Sequence, residues 1–225
     1  MTFSVAGICD KTGMVGVSIS SSSISVASRC PWVKAGVGAA STQNITDPSL
    51  GNVMLRLIEK GSTPEQAIEI VTNDRKFIDY RQLMVIDNKG RSSSFSGLNT
   101  LGAHAVAQGN HCIAAGNLLL NTEIPRAIVD SFTKHVNLHL AERLLIALQA
   151  GLEAGGEVGP IHSAGVKVAH KHPWPLVDLR VDWAEDKPID KLMQLWRTYE
   201  EQMMDYDTRA INPTIAPSYG VSGDL

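Results

Sequence analysis

Apolar and polar positions sort themselves from the second residue onward. Thr2-Phe3-Ser4-Val5-Ala6-Gly7-Ile8 reads as a strand with almost nothing before it. Asp10-Lys11-Thr12-Gly13 is a turn cluster, and Met14-Val15-Gly16-Val17-Ser18-Ile19 resumes as a second strand, so the two form a hairpin. The run Ser18 to Ser25 holds six serines in eight positions. Serine-rich sequence suits a flexible linker, while the interleaved Ile19 and Ile24 suit an ordered wall of hydroxyls. Both readings stay open.

Ala35 to Gln43 is small throughout, with glycines two apart, which lets another backbone or a ligand come close. Asp47 as N-cap and Pro48 at the first helical position start a helix through Leu50, Val53, Met54, Leu57 and Ile58, closed by Gly61. Thr63-Pro64-Glu65-Gln66 is a capping box for a second helix through Val71. Gln82–Asp87 and Arg91–Gly97 flank Asn88-Lys89-Gly90 as a second hairpin. A loop is expected around Asn99 to Ala107, then a strand over His111–Leu119 that ends in Gly116-Asn117. Pro125 opens one helix. Leu138, Ala141, Leu144, Leu145, Leu148 and Leu152 mark a second, stopped by Gly155-Gly156.

Ser163–Ala169 and Leu176–Asp182 are strands, the latter with Asp178, Arg180 and Asp182 on one face as a surface charge ladder. Pro188 opens a last helix. Residues 1–206 make a single domain, and 207–225, with Pro213, Pro217, Gly220 and Gly223, form an extended or disordered tail. Because strands arrive as hairpins, the expected class is α+β: a four-layer αββα sandwich of two mostly antiparallel sheets.

Composition narrows the function. A hydrophobic fraction of 44% supports a sizeable core, and a net charge of −3 with 5% aromatics argues against nucleic acid and against an anionic membrane. Cys9, Cys30 and Cys112 form no C-x-x-C pair, which suits reduced thiols and a cytoplasmic location. No apolar run reaches a membrane span, and no export signal is visible. The histidines lack the third-ligand spacing of a zinc site, and no phosphate or dinucleotide loop is present, so neither metal nor cofactor is expected. Thr2 is the candidate with chemistry. Once Met1 is removed, it carries a hydroxyl and a free α-amine on one residue, a nucleophile with its own base.

Thr2-Phe3-Ser4, Pro31 to Ala39, Thr42-Gln43, Gly116-Asn117, Leu140 to Leu145 and Pro175 to Asp182 together resemble the bacterial domain of unknown function 1028 family. The resemblance covers roughly residues 2 to 205. It implies an N-terminal-nucleophile hydrolase-like fold with Thr2 as nucleophile, attacking an amide carbonyl. Gln43 and Asn117 become candidate donors to the resulting oxyanion, near the strand end at Ala40, Ser41 and Thr42. Ser21 and Thr42 complete the expected substrate-binding set. Family members usually carry Arg after the residue matching Ser21, where this chain has Ser22. Arg29 and Lys34 are the nearby cations. The expected function is hydrolysis of a small-molecule amide, with no nucleic acid or membrane partner and with homo-oligomers by fold analogy. The alternative is a non-catalytic binding or assembly protein on the same fold. A further option is a different nucleophile, Ser21 or Cys30.

Overall fold

The computed structural model describes residues 1–73 and 75–221. Its elements run β1 (Thr2–Ile8), β2 (Val15–Ser21), β3 (Pro31–Lys34), β4 (Gly38–Asn44), α1 (Ser49–Glu59), α2 (Pro64–Thr72), β5 (Arg81–Asp87), β6 (Ser92–Ser96), β7 (Ala105–Gly109), β8 (Cys112–Asn117), α3 (Ile124–Lys134), α4 (Leu140–Glu153), β9 (Ser163–Ala169), β10 (Val177–Val181), α5 (Pro188–Glu200) and α6 (Met203–Ile211). The larger sheet has the order β10-β9-β2-β1-β8-β7 and the smaller one β3-β4-β5-β6. The strand pairs in both are antiparallel.

Period-two alternation sends each strand's side chains into two different layers. From β1, Phe3 and Val5 pack against Ile128, Phe132, Leu144 and Trp196 of the helices α3, α4 and α5. Ala6 and Ile8 face the other way and meet Ala39, Met84 and Ile86 of the smaller sheet. That sheet buries Ala40, Leu83 and Val85 under Leu50, Met54 and Ile68 of α1 and α2. The result is the expected αββα sandwich.

Close packing sets where glycine is required. A Cβ on Gly7 would lie 2.4 Å from the Phe132 ring, and one on Gly51 would lie 2.0 Å from Trp32. The capping box at Thr63 forms as read, with Gln66 N–H donating to Thr63 Oγ1 at 3.3 Å and Thr63 N–H to Gln66 Oε1 at 2.9 Å. Ahead of α1 the N-cap position falls on Pro48 rather than Asp47, and Asp47 accepts from Ser49 N–H at 3.0 Å from one residue further out. The serine run proves to be ordered wall rather than linker. Ser18, Ser20 and Ser21 are fully buried in β2.

Three more expectations need correction. The loop expected over 99–107 contains the start of β7, an alanine-rich edge strand with weak intrinsic β preference that forms by pairing with β8. The leucine-rich helix starts at Leu140 rather than Leu138, because His139 takes the N-cap, its Nδ1 accepting from Ala141 N–H at 3.2 Å. The boundary at 206 falls inside α6. There Tyr206 stacks on Tyr199 at 6.1 Å and Asp207 lies 3.8 Å from His172, contacts that local sequence does not announce. The part of the expected tail from 222 to 225, Gly223 included, lies outside the described residues. Asp178 and Arg180 form the surface ladder as read, Asp178 paired with Lys167 at 3.2 Å and Arg180 with Asp182 at 3.5 Å. Among the described residues no helix is long and apolar enough to cross a membrane.

Leu144 sits fully buried between α4 and β2. Leu144→Ala is expected to lower unfolding free energy by about 2–5 kcal/mol, read from a denaturant midpoint that shifts without a change in slope.

Candidate active site

The space between the sheets changes character along its length. At one end it is apolar: Ala6, Ile8, Val15, Val17, Met84 and Ile86. The same faces, followed toward Thr2, carry Ser4, Ser41, Gln43, Gln82 and Asn117, all buried. Buried amides are costly unless hydrogen-bonded, and here they bond one another. Ser4 Oγ donates to Gln43 Oε1 at 2.6 Å, and Ser41 Oγ to the same atom at 3.2 Å. Gln43 Nε2 and Asn117 Nδ2 both donate to Gln82 Oε1, at 2.9 and 3.1 Å. Gln82 Nε2 in turn donates to Gly116 O at 3.1 Å and Ser96 Oγ at 3.2 Å. Asn117 Oδ1 is left with no partner.

Thr2 stands at the open end of this network. It pairs across the sheet with Asn117, and it shares a face of β1 with Ser4, Ala6 and Ile8. Its hydroxyl lies 3.4 Å from Ser21 Oγ, and both hydroxyls donate to the Met1 carbonyl. Ser21 Oγ also contacts Ser23 Oγ at 2.8 Å. Thr2 is 5% exposed, under a half-exposed Met1.

A residue that the sequence did not single out completes the surroundings. Glu157 is 5% exposed and follows the Gly155-Gly156 stop of α4. A bridge to Leu119 fixes it beside the end of β8. Its Oε2 accepts from Ser22 N–H at 3.2 Å, and its Oε1 has no partner. Burial pushes its carboxyl up to about 7, opposed by the chain's positive amino terminus, the Ser22 bonds and His162. His162 is itself stacked on Trp183 at 4.3 Å, with Nδ1 against Ala184 O.

The expected site residues separate. Thr2, Ser21, Gln43 and Asn117 come together on the inter-sheet faces. Thr42 does not: it shares the opposite face of β4 with Ala40, and its hydroxyl donates to Asp47 O at 3.1 Å, toward the helical layer. Arg29 reaches the rim, where Nη2 donates to Ser23 Oγ at 2.7 Å and Nη1 to Ile24 O and Ser25 O. Lys34 goes elsewhere, to Glu59. Cys30 is buried, and burial pushes its thiol up, away from nucleophilic thiolate. A cleft of about 340 Å³ lined by Lys34, Lys171, His172 and Trp174 opens at the hairpin end of the sandwich, the opposite end of β2 from Ser21. Among the described residues no group of three or more His, Cys, Asp or Glu could hold a metal ion.

Because the folded value of Glu157 lies above its ordinary 4.5, the native state holds that proton more tightly than the unfolded chain. Its contribution to stability is therefore lost as pH rises from about 4.5 toward 7. With Met1 in place, Glu157→Gln should exceed wild type in stability at pH 8 by on the order of 1–3 kcal/mol. The two unfolding curves should converge below pH about 4.5.

Comparison with known proteins agrees with this architecture. None of the curated proteins matches the sequence. A crystal structure of a Silicibacter pomeroyi protein of family model DUF1028 superposes with a TM-score of 0.82 at 29% identity, covering 88% of each chain. The family model described as "Family of unknown function (DUF1028)" matches residues 2–192. The chain belongs to the DUF1028 family.

Proposed function

We propose that this protein is an amide hydrolase of the N-terminal-nucleophile type, with Thr2 as its nucleophile once Met1 has been removed. The observation that carries the reading is the position of the Thr2 hydroxyl. It sits at the head of an interior strand, on the inter-sheet face, beside Ser21 and across the sheet from Asn117, whose amide belongs to the buried Gln43–Gln82–Asn117 network. Removing Met1 deletes the carbonyl that now accepts from Thr2 and Ser21, and it leaves a primary amine on the same residue as the hydroxyl.

The chemistry then follows from those groups. The α-amine takes the hydroxyl proton as Thr2 Oγ1 attacks the substrate carbonyl. The C–N bond breaks, the leaving amine takes that proton, and an ester to Thr2 remains. Water, deprotonated by the same amine, hydrolyses the ester and restores the hydroxyl. The free hydrogens on the Gln43 and Asn117 side-chain amides, together with the Ser21 hydroxyl, are the donors for the oxyanion. The ligand is a small-molecule amide, and the working form is a cytoplasmic homo-oligomer.

One observation favours the second reading, a binding protein without turnover. Thr2 is 5% exposed, and the 340 Å³ cleft does not include it.

Two measurements decide. Intact mass of the protein from its own host is expected to lack one methionine residue; full retention removes the mechanism. On a panel of N-acyl, ureido and dipeptide amides, Thr2→Ala is expected to lose on the order of 10³-fold or more in kcat/KM while keeping its unfolding midpoint. Unchanged turnover would point to Ser21, and no turnover by any Met1-free protein would favour the binding reading.

A further inference from the structure

Two buried acceptor oxygens near residue 2 have no donor. One is Asn117 Oδ1, on the cross-strand partner of Thr2. The other is Glu157 Oε1, on a carboxylate 5% exposed. Native proteins rarely leave such atoms unpaired, and each one asks for an explanation. For a carboxylate the need is greater, since an ion without a counter-ion is expensive to bury. No lysine, arginine or histidine lies within ion-pair distance of Glu157 among the described residues, and neither does the Met1 amine. The positive groups that act on it from neighbouring elements are the amino terminus and His162. Asn117 Oδ1 can only accept, and Glu157 Oε1 accepts whenever its carboxyl is ionised, so one group carrying several N–H donors would satisfy both.

We infer that Glu157, with Asn117 Oδ1, forms the seat of the α-amine of Thr2 in the chain that begins at Thr2. This rests on the nucleophile reading above for its purpose, though not for its test. In the full chain the amino terminus is displaced by one residue and leaves the seat unfilled. In the shortened chain the ammonium supplies up to three N–H donors for the two waiting oxygens. Glu157 is then a positioning residue. It turns the amine so that its lone pair, when free, lies on the side of the hydroxyl.

The pairing also sets the proton balance. A carboxyl pushed up to about 7 stands beside an amine whose ordinary value is about 8. In contact the two groups act on each other, the carboxylate holding the amine up and the ammonium holding the carboxyl down, so they titrate as a pair that shares one proton. The amine can be neutral, and so able to accept the Thr2 hydroxyl proton, without exporting a proton to solvent.

The test uses protein released from a cleavable fusion so that Thr2 is the first residue. The pH midpoint of its α-amine is read by amine acylation with mass-spectrometric detection. Wild type is expected to label at pH 7 about five- to tenfold more slowly than Glu157→Gln, because the carboxylate holds the ammonium. Glu157→Asp is expected to restore part of the protection. In chains that retain Met1, Glu157→Gln should move the midpoint less. Equal midpoints in wild type and Glu157→Gln, both beginning at Thr2, overturn the inference. Because the readout needs no substrate, the seat can stand while the hydrolase reading falls, and the hydrolase reading can stand on the Thr2→Ala result while the seat falls.

Discussion

Two sheets can pack face to face only if what lies between them is apolar or paired. This chain uses both solutions, one at each end of the same interface. Ala6, Ile8, Val17 and Met84 fill one end. Gln43, Gln82 and Asn117 fill the other, each bonded to at least one of the others. The second solution is the more demanding. An amide whose partner shifts by one residue loses its bond and also buries an unpaired group, at a cost of about 1–3 kcal/mol. The network therefore enforces the register of β4 against β5, where Gln43 stands opposite Gln82, and of β1 against β8, where Thr2 stands opposite Asn117. The placement of Thr2 is a consequence of that register.

Much of the fold was legible because its signals are local. Turn residues at Asp10–Gly13 and Asn88–Gly90 specify hairpins, and Asp47-Pro48 and the capping box at Thr63 specify helix starts, whatever the rest of the chain does. Hairpins in turn force antiparallel sheets. What escaped depends on contacts far apart in the chain. β7 carries almost no β-branched residue and exists because β8 offers it an edge. α6 is held by Tyr199 and His172, residues on other elements.

The site divides in the same way. Gln43 and Asn117 were reachable through the family resemblance, and Ser21 through the serine run that carries β2 toward Thr2. Thr42 was not separable from Gln43 by sequence: the two are neighbours, and period two alone decides which faces the other sheet. The apolar anchor needed to assign that parity was available in Ala39 and Ala40, but both are alanine and neither favours a face. Gln82 had a usable signal. It shares parity with Met84 and Ile86 in an otherwise apolar run, so a polar residue there is buried on the inter-sheet side and needs a partner. Glu157 had none: a single glutamate after two glycines looks like any solvated loop charge. Only the Leu119 bridge and the burial that follows make it unusual.

The serine run shows how one composition performs two tasks. Ser18 and Ser20 occupy alternate positions of β2 and turn their hydroxyls back onto the neighbouring strand, donating to Gly165 O and Ser163 O at 3.1 and 3.0 Å. Such bonds satisfy a buried hydroxyl internally and leave nothing for a ligand. Ser21 has the opposite parity, that of Val17 and Ile19, and its hydroxyl enters the space beside Thr2. Extending β2 by one residue beyond Ser20 thus converts a self-satisfied wall into a group that faces Thr2. The strand can be extended that far because Ser21 pairs with Ser163, and His162 N–H donates to Ser21 O at 2.9 Å. The last rung of β2 with β9 therefore joins the Ser21 hydroxyl to the backbone leading back to Glu157, five residues earlier than His162 in the chain. A change that frays this rung moves both sides of the site together, so Ser21 and Glu157 are coupled through backbone pairing as well as through the Ser22 N–H bond.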